Sequence, residues 1–323
     1  MNKILITAEI PERAQEMLKH AGLNVDVFKG KKIIEHSVLL DKIHDASFLI
    51  TPLSTKVNKE VIDHAPKLKL IANFGAGFNN IDTAYAANKG IMVTNTPFVS
   101  TVSTAEVTVG LIISLLHRIP EGDNLMRTSG FNGWAPLFFL GHELSNKVLG
   151  IIGMGQIGQA VAERMKAFGV RILYTQNHRL NLQRESELGA EYVEKNMLIQ
   201  NSDIITLHLP LSDGTHHLLG ANEFKSMKKT AVLINAARGP IIDENALLQA
   251  LLNHDIAGAA LDVYEKEPLV ADEFKKLKNV ILTPHIGNAT SEARDAMAEI
   301  VASNVIAAAQ NKKPKYIVND TQD

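Results

Sequence analysis

Cysteine is absent from all 323 residues. That excludes disulfides, thiolate metal ligands and a cysteine nucleophile, and no metal site is expected. Aromatic residues are scarce, at 5%. No uncharged apolar run approaches the roughly 18 residues that span a bilayer. The stretch Met1–Glu12 reads as a short strand followed by charge, without the apolar core or small-residue cleavage site of a signal peptide. Net charge is −2 with no long basic block, so no nucleic acid and no anionic membrane has electrostatic support as a partner. Together these absences lead us to expect a soluble, cytoplasmic protein.

What is present is ordinary in bulk and specific in detail. With 46% hydrophobic and 21% charged residues, the chain can bury large cores, and its length suggests two domains. No internal repeat is evident. The stretch Val148–Gly158 (VLGIIGMGQIG) organises the rest: an apolar run ends in glycines 153, 155 and 158, then Ile157, Val161, Ala162 and Met165 recur at helical spacing. In a strand–turn–helix of this kind the first glycine permits the sharp turn, the second lets backbone approach a pyrophosphate, and the third lets helix and strand pack closely. The helix N-terminus then offers free N–H groups to phosphates.

Before this stretch, short strands are predicted at 3–7, 24–28, 47–51, 68–73 and 91–94. Helices are predicted over 11–20, with Pro11 in its first turn, and from a cap at Ser37 to Asp45. The loops 51–54 and 73–77 follow strands, where open α/β sheets bind ligands. Gly75 and Gly77 can offer N–H groups to an anionic substrate; plain turn glycines explain them as well. A long, mostly apolar helix is predicted over 101–118, with Ser103 or Thr104 near its start, and it is expected to lie between domains or subunits. Residues 119–147, with Phe131, Trp134, Phe138 and Phe139, read as an irregular excursion covering a neighbour. A second βα series then places strands at 148–152, 170–175, 203–208, 230–235, 258–262 and 280–283, and a helix over 243–253. The helix predicted over 291–310 returns to the first domain, giving two doubly wound α/β domains, one inserted into the other.

Three polar residues, Arg238, Glu267 and His285, each follow a predicted strand of the second series, so one sheet edge brings them together. Their types suit hydride transfer to a ketone. His285 can donate a proton to the developing alkoxide, Glu267 can hold that imidazole, and Arg238 can clamp a carboxylate. With GAGFNNID, STAEVTVGLIISLLHR, the glycine loop, HLPL, NAARG, ALDVYEKEP and TPHIG in order, the sequence resembles the D-isomer-specific 2-hydroxyacid dehydrogenase family over essentially its whole length. The resemblance implies reversible, NAD(P)-linked interconversion of a 2-oxo acid and an (R)-2-hydroxy acid, with Arg238, Glu267 and His285 in the catalytic positions. It implies a Rossmann-type cofactor domain over 100–288, inserted into a flavodoxin-like substrate domain over 1–99 and 289–323, closing over a deep cleft in a homodimer. Implied cofactor contacts are Thr104, Gly153, Gly155, Gln156, Ile157 and Gly158 around the glycine loop. Thr175, His178 and Arg179 are implied past the next strand, His208, Pro210 and Thr215 past a third, and Ala236, Asp262 and Gly287 beside the catalytic positions. Leu53, Ala76, Gly77, Arg238 and His285 are the implied substrate contacts.

One departure bears on the cofactor. Where NAD-binding versions place an acid about 20 residues past the first glycine, this chain has Thr175, and no acid follows before Glu185. The missing carboxylate favours NADP(H) over NAD(H), with His178 and Arg179 attracting a 2′-phosphate; a solvated Arg179 with NAD held by other contacts is the alternative. This pattern resembles glyoxylate/hydroxypyruvate reductases, and the small pocket suggested by Leu53, Ala76 and Gly77 suits those substrates, with Phe138 or Phe139 of a partner as a cap. A D-lactate or 3-phosphoglycerate type of dehydrogenase and a dinucleotide-sensing corepressor are the other readings. Glu267 argues against formate dehydrogenases, which carry Gln there, and no extra C-terminal regulatory domain is expected.

Overall fold

Short Ile/Leu/Val-rich runs that lack strict alternation become central parallel strands only when helices cover both faces of their sheet, and both sheets here are built that way. The structure is a computed structural model that describes residues 2–30 and 32–319. Residues 1, 31 and 320–323 of the predicted first domain lie outside the described residues. The chain divides into two compact units, residues 1–100 with 289–323, and residues 101–288.

The first unit begins β1 (Lys3–Ile6), α1 (Glu12–His20), β2 (Asn24–Val27), α2 (His36–Ile43), β3 (Phe48–Pro52), α3 (Lys59–Asp63), β4 (Leu70–Phe74), α4 (Thr83–Asn88) and β5 (Met92–Thr94). Its sheet is parallel, in the order β2-β1-β3-β4-β5, which is the flavodoxin-like order. Pro11 is the N-cap of α1 rather than a first-turn residue. Ser37 lies inside α2, whose N-cap is Glu35; the extended backbone of Glu35 starts the helix without a side-chain cap.

The second unit begins with α5 (Thr101–Leu116) and α6 (Ile119–Thr128). There follow β6 (Val148–Ile152), α7 (Gln156–Lys166), β7 (Arg171–Thr175), α8 (Leu182–Leu188), β8 (Ala190–Tyr192), α9 (Lys195–Asn201), β9 (Ile204–Leu207) and α10 (Ala221–Ser226). It ends with β10 (Val232–Asn235), α11 (Glu244–Leu252), β11 (Gly258–Leu261), α12 (Asp272–Lys276) and β12 (Val280–Leu282). The seven strands run in the order β12-β11-β10-β9-β6-β7-β8, all parallel. The order reverses between β6 and β9, the switch point at which such sheets bind ligands.

Two points of the sequence reading change here. Residues 119–128 are helical, not irregular: Arg118, at φ 55°, ends α5, and Pro120 in the first turn starts α6. Arg118 also pairs with Glu121 at 2.7 Å across that corner. The strand β8 was missed because Ala190-Glu191-Tyr192 lacks the apolar run that marks the other short strands. Ser103 and Thr104 lie in the first turn of α5, near its start as expected, and are buried. Within this unit α5 packs Ala105, Leu111, Ile112 and Leu116 into the core with Ile151, Val161 and Ile234, against α7 and the sheet.

The last helix, α13 (Ser291–Ala309), belongs to the first unit. Thr290 caps it by accepting from the Ala293 N–H at 3.2 Å. Met297, Val301, Ala302 and Val305 pack into the core with Ile4, Ile6, Phe48 and Leu70. Among the described residues no single helix is long and apolar enough to cross a membrane.

Candidate active site

The turn after β6 shows what each glycine does. Gly153 takes φ +98°, and a Cβ there would fall on the His208 carbonyl. A Cβ on Gly158 would strike the Gly153 carbonyl oxygen, so that glycine lets α7 start tight against the turn. Gly155 differs: nothing lies within 4 Å of where its Cβ would be. It is the N-cap of α7 and makes no side-chain cap bond, so the first-turn N–H groups are open to an anion. This bare, donor-lined edge fits a dinucleotide pyrophosphate. Gln156 is exposed, its Oε1 accepting from the Thr101 hydroxyl at 3.4 Å, whereas Ile157 packs its side chain on the core.

His208 follows β9 across the switch point, its N–H donating to Ile152 O at 2.8 Å. Its Nε2 lies 3.0 Å from the Thr206 hydroxyl, and its Nδ1 is shut from solvent with no partner among the described residues. Burial pushes its pKa down to about 3, so it is a neutral ring with one open nitrogen beside the glycine loop. Thr215 is committed to its own turn: its hydroxyl donates to Pro210 O at 2.7 Å and accepts from the Ser212 N–H at 2.8 Å. Pro210 is exposed.

Thr175 ends β7 in register with Ile152, and its carbonyl accepts from the Gly153 N–H at 2.9 Å. Beyond it, Gln176 Oε1 accepts from the Met154 N–H at 3.0 Å, tying this segment to the glycine loop. His178 is exposed. Arg179 is not a free cation. It holds Glu185 through Nε and Nη2, both at 2.8 Å, and the Tyr174 hydroxyl donates to the same carboxylate at 2.6 Å. Those hydrogen bonds outweigh burial and bring Glu185 down to about 2, while burial and Glu185 push Tyr174 up to about 12. The Arg179 charge is therefore offset, which weakens its expected pull on a phosphate.

The catalytic candidates converge in the second unit. His285 and Glu267 form a 2.8 Å hydrogen bond between Nδ1 and Oε2, leaving Nε2 available. His285 sits at φ 55°, a conformation costly for a side-chain-bearing residue and typical of sites that surroundings over-determine. Burial raises the Glu267 carboxyl, but the hydrogen bond and charge of His285, the Tyr264 N–H at 3.1 Å and the Arg238 charge outweigh it, leaving its pKa below the usual value. Arg238 is buried enough for desolvation to depress its pKa against the pull of Glu267; its Nη1 donates to Ala237 O at 2.6 Å. Alongside, Asp262 is fully buried and accepts from the Thr283 hydroxyl and from the Ile286 and Gly287 N–H groups at 2.6–2.8 Å. Thr104 lies against Gly287. Ala236 is buried directly after β10.

The profile of the D-isomer specific 2-hydroxyacid dehydrogenase, NAD binding domain, matches residues 109–287. The "Putative 2-hydroxyacid dehydrogenase" of Staphylococcus aureus (strain MRSA252) is 51% identical over 99% of this chain and 100% of its own length. The chain belongs to the D-isomer-specific 2-hydroxyacid dehydrogenase family. It is an NAD(P)-dependent oxidoreductase acting on a hydroxy or oxo acid. A protein structure from Thermus thermophilus matches with TM-score 0.92 at 36% identity, covering 98% of this chain and 99% of that one. An NADPH-dependent glyoxylate/hydroxypyruvate reductase of Sinorhizobium meliloti, in complex with NADP and malonate, matches at TM-score 0.82 and 30% identity, over 98% and 96%. The apo D-lactate dehydrogenase of Escherichia coli matches at 0.86 and 26%, over 98% and 100%.

In this dehydrogenase the loop after β4 is wired by asparagines that the sequence reading passed over. Asn73 Nδ2 donates to Gly77 O at 2.7 Å, Asn95 Nδ2 to Ala76 O at 2.6 Å, and Asn80 Nδ2 to Asn73 Oδ1 at 3.2 Å. The Gly75 N–H is taken by Asn73 O at 3.0 Å, which favours the plain-turn reading of Gly75 over an N–H offered to a substrate. The Ala76 and Gly77 N–H groups have no acceptor among the described residues. Leu53 lies over Gly75, where a Cβ would come within 2.8 Å of it. Asn235 plays a similar part beneath Arg238, donating to its carbonyl at 2.9 Å and accepting from the Ala237 N–H at 3.0 Å. Its place at the end of β10 inside NAARG was the available signal.

Proposed function

We propose that this dehydrogenase reduces a small 2-oxo acid of the glyoxylate or hydroxypyruvate class to the (R)-2-hydroxy acid and favours NADPH. The observation that carries the reaction is the His285–Glu267 pair at 2.8 Å next to a desolvated Arg238. When bound, the reduced nicotinamide supplies the hydride to the substrate 2-carbon. His285 presents Nε2 as the proton donor to the ketone oxygen, and Glu267 fixes the ring through Nδ1. Arg238 holds the substrate carboxylate, which its planar fork matches in two prongs. The glycine loop at Gly153, Gly155 and Gly158, with Gln156 and Ile157 opening α7, would hold the pyrophosphate, and Thr104, His208, Ala236, Asp262 and Gly287 the nicotinamide end. Leu53, Ala76 and Gly77 of the first unit are proposed as further substrate contacts.

NADPH is supported by the absence of any carboxylate free to meet a ribose hydroxyl after β7. The first acid there, Glu185, is held by Arg179 and Tyr174, so it is not free to repel a 2′-phosphate, and exposed His178 can meet one. We extend the reading to a homodimer, supported by the exposed apolar side chains between Ile119 and Leu140.

A panel of 2-oxo acids assayed with both reduced cofactors tests this reading. Glyoxylate and hydroxypyruvate should be reduced faster than pyruvate and far faster than phenylpyruvate, with NADPH preferred. His285→Gln should lower turnover at least ~10²-fold, the contribution of a general acid. Near-normal turnover in that variant, a phenylpyruvate preference or a strong NADH preference would each remove the corresponding part of the proposal.

A further inference from the structure

Glu267 sits on the turn 264–267, and that turn is held from two sides. On the inner side the Tyr264 N–H and His285 bind the Glu267 carboxylate, and the Tyr264 hydroxyl donates to Leu261 O at 3.1 Å and Thr283 O at 2.9 Å. The outer side is a separate set of contacts around Glu265, the residue after Tyr264. Its N–H donates to Glu244 Oε1 at 2.7 Å, the Glu244 N–H returns a 3.4 Å bond to Glu265 Oε1, and His217 Nε2 lies 2.6 Å from that same oxygen.

His217 reaches this point from the segment beside the Arg238 loop. Its N–H donates to Pro240 O at 2.8 Å, and the Leu219 N–H donates to Ile241 O at 3.2 Å. His217 adopts φ 48°, a conformation that persists in a non-glycine residue where its surroundings demand it. Gly239 closes the arrangement, because a Cβ on it would fall onto the Tyr264 carbonyl group. Glu244 opens α11, where the helix N-terminus favours a carboxylate. One outer brace thus touches both the loop carrying Arg238 and the turn carrying Glu267.

We infer that Glu244 and His217 are positioning residues for the reaction, acting through Glu265 to fix the Glu267 carboxylate against His285. The inference rests on the proton-donor role proposed for His285. Neither residue touches that ring or Arg238. Their effect is to keep the Tyr264 N–H and the Glu267 carboxylate in register with Nδ1. The charges that face Glu244 are Glu265, Lys266 and Glu267; burial and the two glutamates raise its pKa. His217 faces Glu265 and stacks on the His216 ring at 4.0 Å between centroids.

The test compares Glu244→Ala, Glu244→Gln and His217→Ala with wild type in the full chain. Glu244→Ala and His217→Ala should each lower kcat by roughly 10- to 100-fold, the cost of losing an orienting partner, with NADPH binding by fluorescence unchanged. Both should displace the limb of the kcat/KM pH profile that belongs to the Glu267–His285 pair. Glu244→Gln keeps an oxygen that can accept from the Glu265 N–H and should restore most of the rate. The imidazole nitrogen signals of His285, followed by NMR, should move in the alanine variants independently of any turnover. If Glu244→Ala does not fold, His217→Ala decides. Superimposable pH profiles and unchanged His285 signals would overturn the inference, whatever happens to thermal stability. A wild-type enzyme that reduces no 2-oxo acid would instead overturn the proposed function, and the NMR comparison would still judge the brace.

Discussion

Glu185 shows how much one side chain past a strand can decide. Arg179 and Tyr174 hold its carboxylate, lowering its pKa from an ordinary 4.5 to about 2. The sign of the resulting linkage follows directly: the unfolded chain takes up this proton near 4.5 while the native chain resists until about 2. The pair's contribution to stability is therefore complete above 4.5 and lost as pH falls from 4.5 toward 2. Glu185→Gln should lower the melting temperature at neutral pH, and the gap from wild type should narrow steadily as pH falls through that window in thermal scans. A gap of constant size would show that packing around Tyr174, rather than the charge, is what the glutamate provides. The same residue marks a limit of sequence reading. Arg179 was visible as a cation next to a missing acid, but its commitment to Glu185 was not, because nothing in the spacing of Arg179 and Glu185 says that the turn into α8 folds back on β7.

At the scale of elements, the three glycines after β6 make separable predictions. Gly155→Ala meets open space at an ordinary φ of −71°, so its fold should melt like wild type while its dinucleotide affinity falls. Gly158→Ala drives a methyl into the Gly153 carbonyl and should cost stability by about 1–3 kcal/mol, the usual range for overpacking. Calorimetry with and without NADPH separates them; equal losses of stability in both would refute the assignment of the open edge to the cofactor. These elements were also the most legible part of the sequence. Strand–glycine–helix order, apolar runs of four or five residues, and the recurrence of polar residues after them sufficed for two parallel sheets and for the meeting of Glu267 with His285. What escaped was set by tertiary context. Nothing local separates α6 from an irregular loop, since Gly122 and Pro120 signal a break and Arg118 in a left-handed conformation supplies it. The three residues of β8 form a strand only because β7 offers an edge. The asparagine wiring under the 75–77 and 236–238 loops rests on bonds between residues whose sequence positions carry no period.

At the scale of the whole molecule, the segment from Ile119 to Leu140 is the feature that a single chain leaves unexplained. Isolated exposed apolar residues are normal on any protein surface, but here they accumulate. Ile119, Met126, Phe131, Trp134, Leu137, Phe138 and Leu140 are 44–84% exposed within one short stretch, with Trp134 and Leu137 at 84% each. Phe131 and Phe138 stack at 6.1 Å, and the Arg118 guanidinium lies 4.0 Å from the Phe139 centroid, so the segment is internally organised rather than loose. Patches of this size on other proteins often serve as association surfaces, and the homodimer proposed above would give this one a second copy as cover. A twofold interface uses each side chain twice. Covering one large apolar side chain stabilises by about 1.5–3 kcal/mol, so replacing Trp134 and Leu137 by alanine removes four such groups from a dimer. The Trp134→Ala/Leu137→Ala variant should therefore weaken dimerisation by at least ~10²-fold. Because both residues are exposed in the single chain, the folded protomer should keep its circular dichroism. Sedimentation velocity over a range of concentrations reads the outcome: a wild-type dimer and a variant shifted toward monomer support the surface. A wild-type monomer at every concentration, or a variant that dimerises as tightly as wild type, rejects it.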